Sequence, residues 1–149
     1  LLKIHKSCRA SAGEEEDCNQ AIGLQVKAGT IVGELPPYEA FCLGGSSSVR
    51  GWSACDLAVG RSFGEATAEY RFPIWRILSG SLFVDAATDF GSQEDVPGKP
   101  GKILGKAGSG FSLGSGVIVN TPIGPIRLEA ASKDFGDDWR YNIGVGWKF

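Results

Sequence analysis

Apolar and polar side chains alternate one by one in six separate stretches of this chain. The stretches lie at about residues 20–33, 63–72, 80–90, 109–120, 126–131 and 139–149. A period of two predicts β-strands that have one apolar and one polar face. The last stretch shows it most clearly, since Tyr141, Ile143 and Val145 point one way while Arg140 and Asn142 point the other. No stretch predicts a helix, so the expected fold class is all-β and antiparallel.

The connections between these strands alternate in length. Residues 34–59 and 91–108 are long, whereas residues 73–79 and 121–125 are short. Pro73 is expected to end its strand, because proline cannot donate to a sheet ladder. Residues 1–19 are interpreted as a partial strand followed by a small, acidic, solvated loop. A connection as long as 34–59 is typical of a functional or a disordered segment.

Two different surroundings explain strands with one apolar face. In a soluble sandwich or a lipocalin-like barrel, the apolar face forms the interior and the charged face meets water. In a transmembrane barrel, the apolar face meets lipid and the charged face lines the lumen. The alternation alone does not choose between these interpretations.

Three features favour the membrane interpretation. Aromatic residues lie near both ends of the last strand, Trp139 and Tyr141 at one end and Trp147 and Phe149 at the other. Charged residues avoid the apolar face of all six strands, where a Lys or Arg would cost about 2–4 kcal/mol at the bilayer midplane. Long and short connections also alternate as they do in outer-membrane barrels. The sequence therefore predicts a β-barrel wall that is exposed to lipid.

Composition limits the remaining possibilities. The 149 residues suffice for one domain, and the net charge of −2 gives no basic field for nucleic acid. No run of about 18 apolar residues exists, which excludes a transmembrane helix and leaves a barrel open. The first residues lack an initiator Met and a signal-peptide core, so we expect a piece of a longer protein.

Four cysteines lie in the first half of the chain, at positions 8, 18, 42 and 55. They contain no Cys-x-x-Cys pair and the chain has one His, which disfavours a zinc site. Disulfides Cys8–Cys18 and Cys42–Cys55 remain open, but we expect free thiols. Exported bacterial proteins pair or avoid cysteine, so free thiols favour a eukaryotic membrane that faces a reducing cytosol.

Catalytic motifs are not evident. His5 is the single histidine, and no Gly-x-Ser-x-Gly or phosphate-binding loop occurs. The Gly-Ser-Gly triplets at 108–110 and 114–116 are interpreted as strand residues, since no helix follows them. Asp137 and Asp138 are interpreted as turn residues rather than calcium ligands. We expect no enzyme activity, no cofactor and no metal.

The middle of the first long connection carries the most distinctive chemistry. Gly44, Gly45 and three serines precede the cluster Val49-Arg50-Gly51-Trp52. Glycine after arginine permits a sharp bend that presents the guanidinium at a loop tip. If such an arginine points inward, it needs a planar carboxylate partner. An ordinary solvated loop arginine is the alternative interpretation.

This cluster resembles the Val-Arg-Gly-aromatic motif of the Omp85 family, the outer-membrane insertases and translocases of bacteria, mitochondria and plastids. Residues 83–87, Phe-Val-Asp-Ala-Ala, resemble the family's Phe-x-Asp-x-Gly strand, with Ala87 in place of Gly. Residues 64–73 resemble the strand that follows the loop, and residues 122–128 resemble a Pro-hydrophobic-Gly-Pro turn. Ile143-Gly144 and Phe149 resemble the closing strand. Residues 36–41 and 96–98 are most similar to plastid and cyanobacterial members.

The resemblance, which spans about residues 20–149, implies a role for each of these elements. Loop 34–59 would fold into the barrel, and Asp85 would be the partner of Arg50 on the inner wall. Glu69 is the second candidate partner of Arg50, and Glu129 and Asp89 are the remaining alternatives. Six strands are too few to close a barrel, for which about eight are needed, so residues 1–149 would form the C-terminal part of one.

The closing strand would meet the first strand of the barrel at a seam. Gly144 and Gly146 would weaken strand pairing there, near Phe149, because glycine packs poorly in a strand. The edges of a loosened seam could then pair with a client strand.

The resemblance thus implies a protein translocation channel or a β-barrel insertase in the plastid outer envelope, with a bacterial outer membrane as the alternative. Its partners would be the lipid bilayer, unfolded client polypeptides and other translocon or assembly subunits, without nucleic acid. A passive solute pore, or a truncated barrel without independent activity, are the alternative functions.

Overall fold

A computed structural model describes residues 2–5, 19–133 and 136–146 of the chain. Nearly all of the regular structure is β-strand. The strands are β1 (Leu2–His5), β2 (Asn19–Thr30), β3 (Phe41–Leu43), β4 (Ala58–Gly60), β5 (Ser62–Trp75), β6 (Leu78–Thr88), β7 (Ser109–Thr121), β8 (Gly124–Lys133) and β9 (Trp139–Val145). The all-β prediction is confirmed.

Seven of these strands form one antiparallel sheet in the order β1-β2-β5-β6-β7-β8-β9. Successive strands are neighbours, except that β3 and β4 leave the sheet and pair with each other between β2 and β5. β1 and β9 lie at opposite edges, so the sheet is open. The predicted six strands are β2 and β5–β9, and β1 is the predicted partial strand.

Several predicted boundaries were wrong. β5 does not end at Pro73 but continues to Trp75, with a register shift between these two residues. A bulge accommodates proline, because the missing N–H falls where the ladder is already interrupted. The turn expected at 121–125 is shorter, since β7 reaches Thr121 and β8 begins at Gly124. Trp147 and Phe149 lie outside the described residues.

The sequence predicts no helix of any length, and the helical segments of the structure are single turns within the two long connections. The second long connection contains a 3-10 turn at Ser92–Asp95 and one helical turn, α1, at Pro100–Ile103. Another 3-10 turn, Pro37–Glu39, lies in the first long connection. Proline at the start of a helix costs no hydrogen bond, because the first N–H groups have no intrahelical acceptor. Within the described ranges, no helix combines the length and the apolar character needed to cross a membrane.

The two faces of the sheet have opposite chemistry. On the apolar face, Tyr141 is 81 % exposed and Ile143 is 77 % exposed. On the opposite face, Asp85 is 0 % exposed and Glu69 is 1 % exposed. A soluble sandwich would show the reverse, with the apolar side chains in a dry interior. The predicted orientation of the two faces, apolar outward and charged inward, is confirmed.

The connection between β2 and β5 covers the charged face and carries a small apolar core of its own. Leu43, Val49, Leu57 and Ala58 are buried there with Trp52, packed against one residue of β6, Ala87. The β3–β4 pair forms the stem of this connection. We call residues 44–52 the Arg50 loop, because they present Arg50 to the sheet.

Candidate functional site

Local hydrogen bonds close the Arg50 loop. Gly45 N donates to the carbonyl of Trp52 at 3.0 Å, and Trp52 N donates to the carbonyl of Val49 at 3.0 Å. Gly44 has a φ of 113°, a conformation that other residues rarely adopt. A Cβ at Gly44 would also lie 2.3 Å from the carbonyl oxygen of Ser53. The glycines that marked this segment in the sequence are therefore required by its turn.

The guanidinium of Arg50 is fully buried and binds three carboxylates. Its Nε and Nη2 donate to Oδ2 and Oδ1 of Asp85 at 2.7 and 2.9 Å, a bidentate arrangement. Its Nη1 donates to Glu69 Oε2 at 2.9 Å and to Glu129 Oε1 at 2.8 Å. The backbone N–H of Arg50 also donates to Asp85 Oδ2, at 3.2 Å. Three strands, β5, β6 and β8, thus converge on one side chain.

Strand register explains why these acceptors surround a single point. Phe83 pairs with Glu69 on β5, and its ring centroid lies 3.3 Å from Arg50 Cζ. Asp85 follows Phe83 by two residues and therefore projects from the same face of β6. Glu129 pairs with Gly116 on β7, where the absent side chain leaves room for the Glu129 side chain. The aromatic ring forms the floor of the site, and a cation over such a ring is stabilised electrostatically.

Two further arginines complete the charge balance. Arg71 Nε donates to Glu69 Oε1 at 2.5 Å, and Arg127 Nη1 lies 3.6 Å from Glu129 Oε1. Three arginines therefore accompany three carboxylates. Although burial disfavours the charged form, the hydrogen bond to Asp85 and the surrounding negative charges raise the pKa of Arg50 above its ordinary value. Arg50 stays charged at any physiological pH.

The inner face of β7 carries only small residues from Gly110 to Gly116, which the sequence predicts only as ordinary strand residues. Trp52 lies over Gly110, where a Cβ would approach the indole Cζ2 to 2.8 Å. Gly51 lies against Ser112, and a Cβ at position 51 would lie 2.6 Å from the Ser112 Cβ. Alternation of glycine and serine along β7 was the available signal, because only small side chains allow a loop to approach a strand so closely.

Further contacts connect the loop, and Ser53 directly after it, to β8 and β9. Lys133 Nζ lies 3.8 Å from the centroid of the Trp52 ring. Arg140 Nη1 donates to Ser53 Oγ at 2.6 Å, and Asn142 Nδ2 donates to the carbonyl of Arg50 at 3.2 Å. The loop is thereby connected to the edge strand as well as to the middle of the sheet.

Not every residue singled out from the sequence lies at this site. Asp89 is buried at the end of β6, where its Oδ1 accepts a hydrogen bond from Gly91 N at 2.9 Å and not from Arg50. Four residues of extended chain, about 13 Å, separate Asp89 from Asp85. Phe149 lies outside the described residues.

Gly144 and Gly146, the predicted seam glycines, have different surroundings. Gly144 faces the guanidinium of Arg127, with which it is paired across β8 and β9. Gly146 has a φ of 101° just after β9.

Cys42 and Cys55 form a disulfide, so the prediction of free thiols was wrong for this pair. Cys42 is on β3, and the chain returns after the Arg50 loop so that the two Cα atoms lie 4.5 Å apart. This distance is within the range that a disulfide spans. The bridge encloses the Arg50 loop at its base. Cys8 and Cys18 lie outside the described residues.

The sequence matches known proteins over most of its length. The model of the Omp85 superfamily domain matches residues 13–149. The chain belongs to the Omp85 superfamily. The open sheet is accordingly part of an Omp85 β-barrel, whose exposed apolar face is the outer surface of the barrel and whose charged face is the inner one.

Relatives of this Omp85 chain are chloroplast proteins. Outer envelope protein 80 of Arabidopsis thaliana is 41 % identical over 123 residues, which are 83 % of this chain and 17 % of the relative. Outer envelope protein 39 of the same plant is 37 % identical over 76 % of this chain and 31 % of its own length. Protein TOC75-3 is 40 % identical over 69 % of this chain and 12 % of its own length. The chain thus spans less than a third of each of these relatives.

Family membership and a plastid outer-envelope location, both predicted from the sequence, are confirmed by these matches. The disulfide removes one of the arguments for this location, since free thiols had favoured it. The similarity to outer envelope proteins carries the conclusion without that argument. Among the described residues, no cluster of His, Cys, Asp and Glu side chains is suited to a metal ion.

Proposed function

We propose that this chain is the C-terminal part of a protein translocation channel or β-barrel insertase of the plastid outer envelope. In this role it passes or inserts unfolded polypeptides, and no covalent bond is made or broken. The observation that carries the proposal is the convergence of Asp85, Glu69 and Glu129 on Arg50. Buried ion pairs of this kind specify geometry more than they add stability, so the arrangement serves to hold a loop at one place on the inner wall.

In this proposal the Arg50 loop gives the inner wall of the barrel a fixed shape next to the path of the client chain. Val49 is buried in the apolar core of the connection, Gly51 lets the backbone approach β7, and Trp52 closes over it. A passive solute pore has less need for a loop whose position is fixed by contacts to so many strands of the sheet.

The edge strand β9 is the second element of the proposal. β9 pairs with β8 on one side, and in the complete barrel its other side would meet the first strand. Gly144 and Gly146 would weaken that closing pair, and Phe149 would contribute to the end of the strand. An edge with free backbone groups can template a client strand. The partners in this role are lipid, unfolded clients and further subunits of the translocation or assembly machinery.

The test uses the full-length protein that contains this chain, reconstituted in liposomes. Two quantities are measured, the insertion or import of a urea-unfolded outer-envelope β-barrel client and the ion conductance in planar bilayers. Arg50→Ala should reduce client handling at least about tenfold, because removing one partner of a buried ion pair costs about 3–5 kcal/mol. Conductance should persist. Arg76→Ala, at the exposed turn between β5 and β6, is the matched control.

Unchanged client handling by a folded Arg50→Ala variant would support the passive pore instead. Arg50→Lys provides a second variant if the alanine variant does not fold. It retains the charge but not the bidentate geometry, and under the proposal it should also impair client handling.

A chain without independent activity is the second candidate, and the open sheet favours it. β1 and β9 each have a single neighbour among the described strands, and seven strands are fewer than the smallest closed barrel needs. If this candidate is correct, the 149-residue chain alone will give no conductance in liposomes, while the full-length protein will.

A further inference from the structure

A polar cavity lies beside the Arg50 loop on the inner face of the sheet. Its volume is about 280 Å³. The lining residues belong to the loop, β2, β8 and β9, and include Ser46, Ser47, Lys27, Arg127, Glu129 and Asn142. The cavity therefore brings two cations and an amide together on a surface that faces the lumen.

Arg127 is the residue on which the inference depends. Its side chain is only 12 % exposed, and its Nε and Nη1 atoms have no hydrogen-bond acceptor within the part of the chain that the structure describes. The nearest carboxylate oxygen, Glu129 Oε1, lies 3.6 Å from Nη1, beyond hydrogen-bond distance. That oxygen already accepts from Arg50 at 2.8 Å. A buried N–H without an acceptor is unfavourable, so these donors favour an oxygen acceptor from beyond the described residues.

The fold holds Arg127 in this position. Arg127 pairs with Gly144 across β8 and β9, and the guanidinium lies over the bare Cα of the glycine. A Cβ at position 144 would lie 3.2 Å from Nη2 of Arg127. Gly144 thus leaves the space that the guanidinium occupies on the inner wall.

Lys27 provides the second cation. Its Nζ lies 3.1 Å from Glu65 Oε1 and 3.5 Å from the carbonyl of Ser47, and its side chain is 41 % exposed. An ammonium group has three donors, so Lys27 can contact a bound ligand while it keeps the ion pair with Glu65. Glu129 is engaged by Arg50, which leaves Arg127 as a cation of the cavity without a hydrogen-bonded carboxylate in the described structure.

We propose that this cavity binds a small oxyanion, a carboxylate or a phosphate group, through Arg127 with assistance from Lys27. Both groups present oxygen acceptors that match guanidinium and ammonium donors. Two sources carry this chemistry, an acidic side chain of a polypeptide in the lumen and free phosphate. The first source rests on the proposed function, and the second does not.

The experiment measures binding and requires no transport. A fluorescein-labelled hexaglutamate peptide is titrated with the full-length protein in detergent micelles, and fluorescence anisotropy gives the Kd. Inorganic phosphate is then added as a competitor. Arg127→Gln should raise the Kd about tenfold, because a charge-assisted hydrogen bond is lost. Lys27→Gln should raise it less. Arg76→Gln makes the same charge change at an exposed turn and should leave the Kd unchanged.

Each result has one meaning. If Arg127→Gln loses peptide binding and millimolar phosphate does not displace the peptide from the wild-type protein, the site binds acidic polypeptide. If phosphate does displace the peptide, the site also binds free phosphate. Absence of peptide and phosphate binding to the folded wild-type protein, or equal Kd values for Arg127→Gln and Arg76→Gln, overturns the proposal. Lys27→Gln serves as the informative variant if Arg127→Gln does not fold. Because insertion and import are not measured, failure here leaves the proposed function to its own test.

Discussion

Asp85 receives three hydrogen bonds from Arg50, two from the guanidinium and one from the backbone N–H. Glu69 and Glu129 receive one each, both from Nη1. The three carboxylates are therefore not equivalent, although each is buried. Asp85 fixes both the side chain and the backbone of the loop, which gives the first prediction.

Replacing Asp85 should release the Arg50 loop more than replacing Glu69. Asp85→Asn removes the negative charge under a buried cation and should lower the free energy of unfolding by about 3–5 kcal/mol. Glu69→Gln should cost less, because Asp85 still holds the guanidinium. Protease cleavage of the loop in the micellar full-length protein measures the release. Asp138→Asn, at an exposed position, is the control, and equal cleavage of the Asp85 and Glu69 variants would contradict the ranking.

Gly51→Ala should push the loop away from β7. The new Cβ would lie 2.6 Å from Ser112 Cβ and 2.8 Å from the backbone oxygen of Ser132, and a backbone atom has little freedom to shift. Such overpacking costs about 1–3 kcal/mol. Thermal unfolding of the full-length protein should show the loss of stability. Adding Ser112→Gly should restore part of it, and a double variant as unstable as Gly51→Ala would show that Ser112 is not the obstacle.

Reduction of Cys42–Cys55 should loosen the base of the Arg50 loop. The bridge joins residues 13 apart in sequence, and closing a loop of similar length contributes about 3 kcal/mol in the chain-entropy account. Protease cleavage within residues 44–52 should therefore increase when a reductant is added. The double variant Cys42→Ser/Cys55→Ser should be cleaved readily in either condition. A reductant effect that persists in this variant would assign the change to other cysteines.

A charge on the outward face of β2 should destabilise the protein in a depth-dependent way. Val26→Lys places a cation near the middle of the strand and should cost about 2–4 kcal/mol, whereas Thr30→Lys, on the same face at the strand end, should cost about 0–1 kcal/mol. Urea unfolding in phospholipid vesicles, followed by tryptophan fluorescence, measures both. Equal costs would contradict the assignment of this face to the hydrocarbon.

The fold could largely be predicted from the sequence, because the alternation of apolar and polar side chains is a local property of each strand. Successive side chains of a strand point to opposite faces, so the positions of Tyr141 and Asn142 fix the two faces of β9 without knowledge of its neighbours. The ends of the strands were harder to predict from the sequence. Pro73 predicts a strand end, yet β5 continues past it because a register shift accommodates the missing donor. The single turn α1 carries no periodic pattern from which it could be predicted.

The candidate functional site could be predicted from the sequence only in part. Arg50 was recognisable from the motif around it, and Asp85, Glu69 and Glu129 were named as candidates because they share the polar face. The bidentate geometry at Asp85 and the different setting of Asp89 depend on distances along and across the strands. The pairing of Cys42 with Cys55 also required coordinates, because sequence spacing does not give the Cα–Cα distance.

The sequence by itself determined which face of each strand is apolar, that the chain is a β-protein of the Omp85 type, and which arginine is unusual. Only the tertiary structure decided which carboxylates meet that arginine and that β7 presents small residues beneath the loop. It alone also showed that Nε and Nη1 of Arg127 have no hydrogen-bond acceptor among the described residues. The physical reason is that side-chain direction follows from the local backbone, whereas the convergence of charges depends on the register of neighbouring strands and on the path of the loop across them.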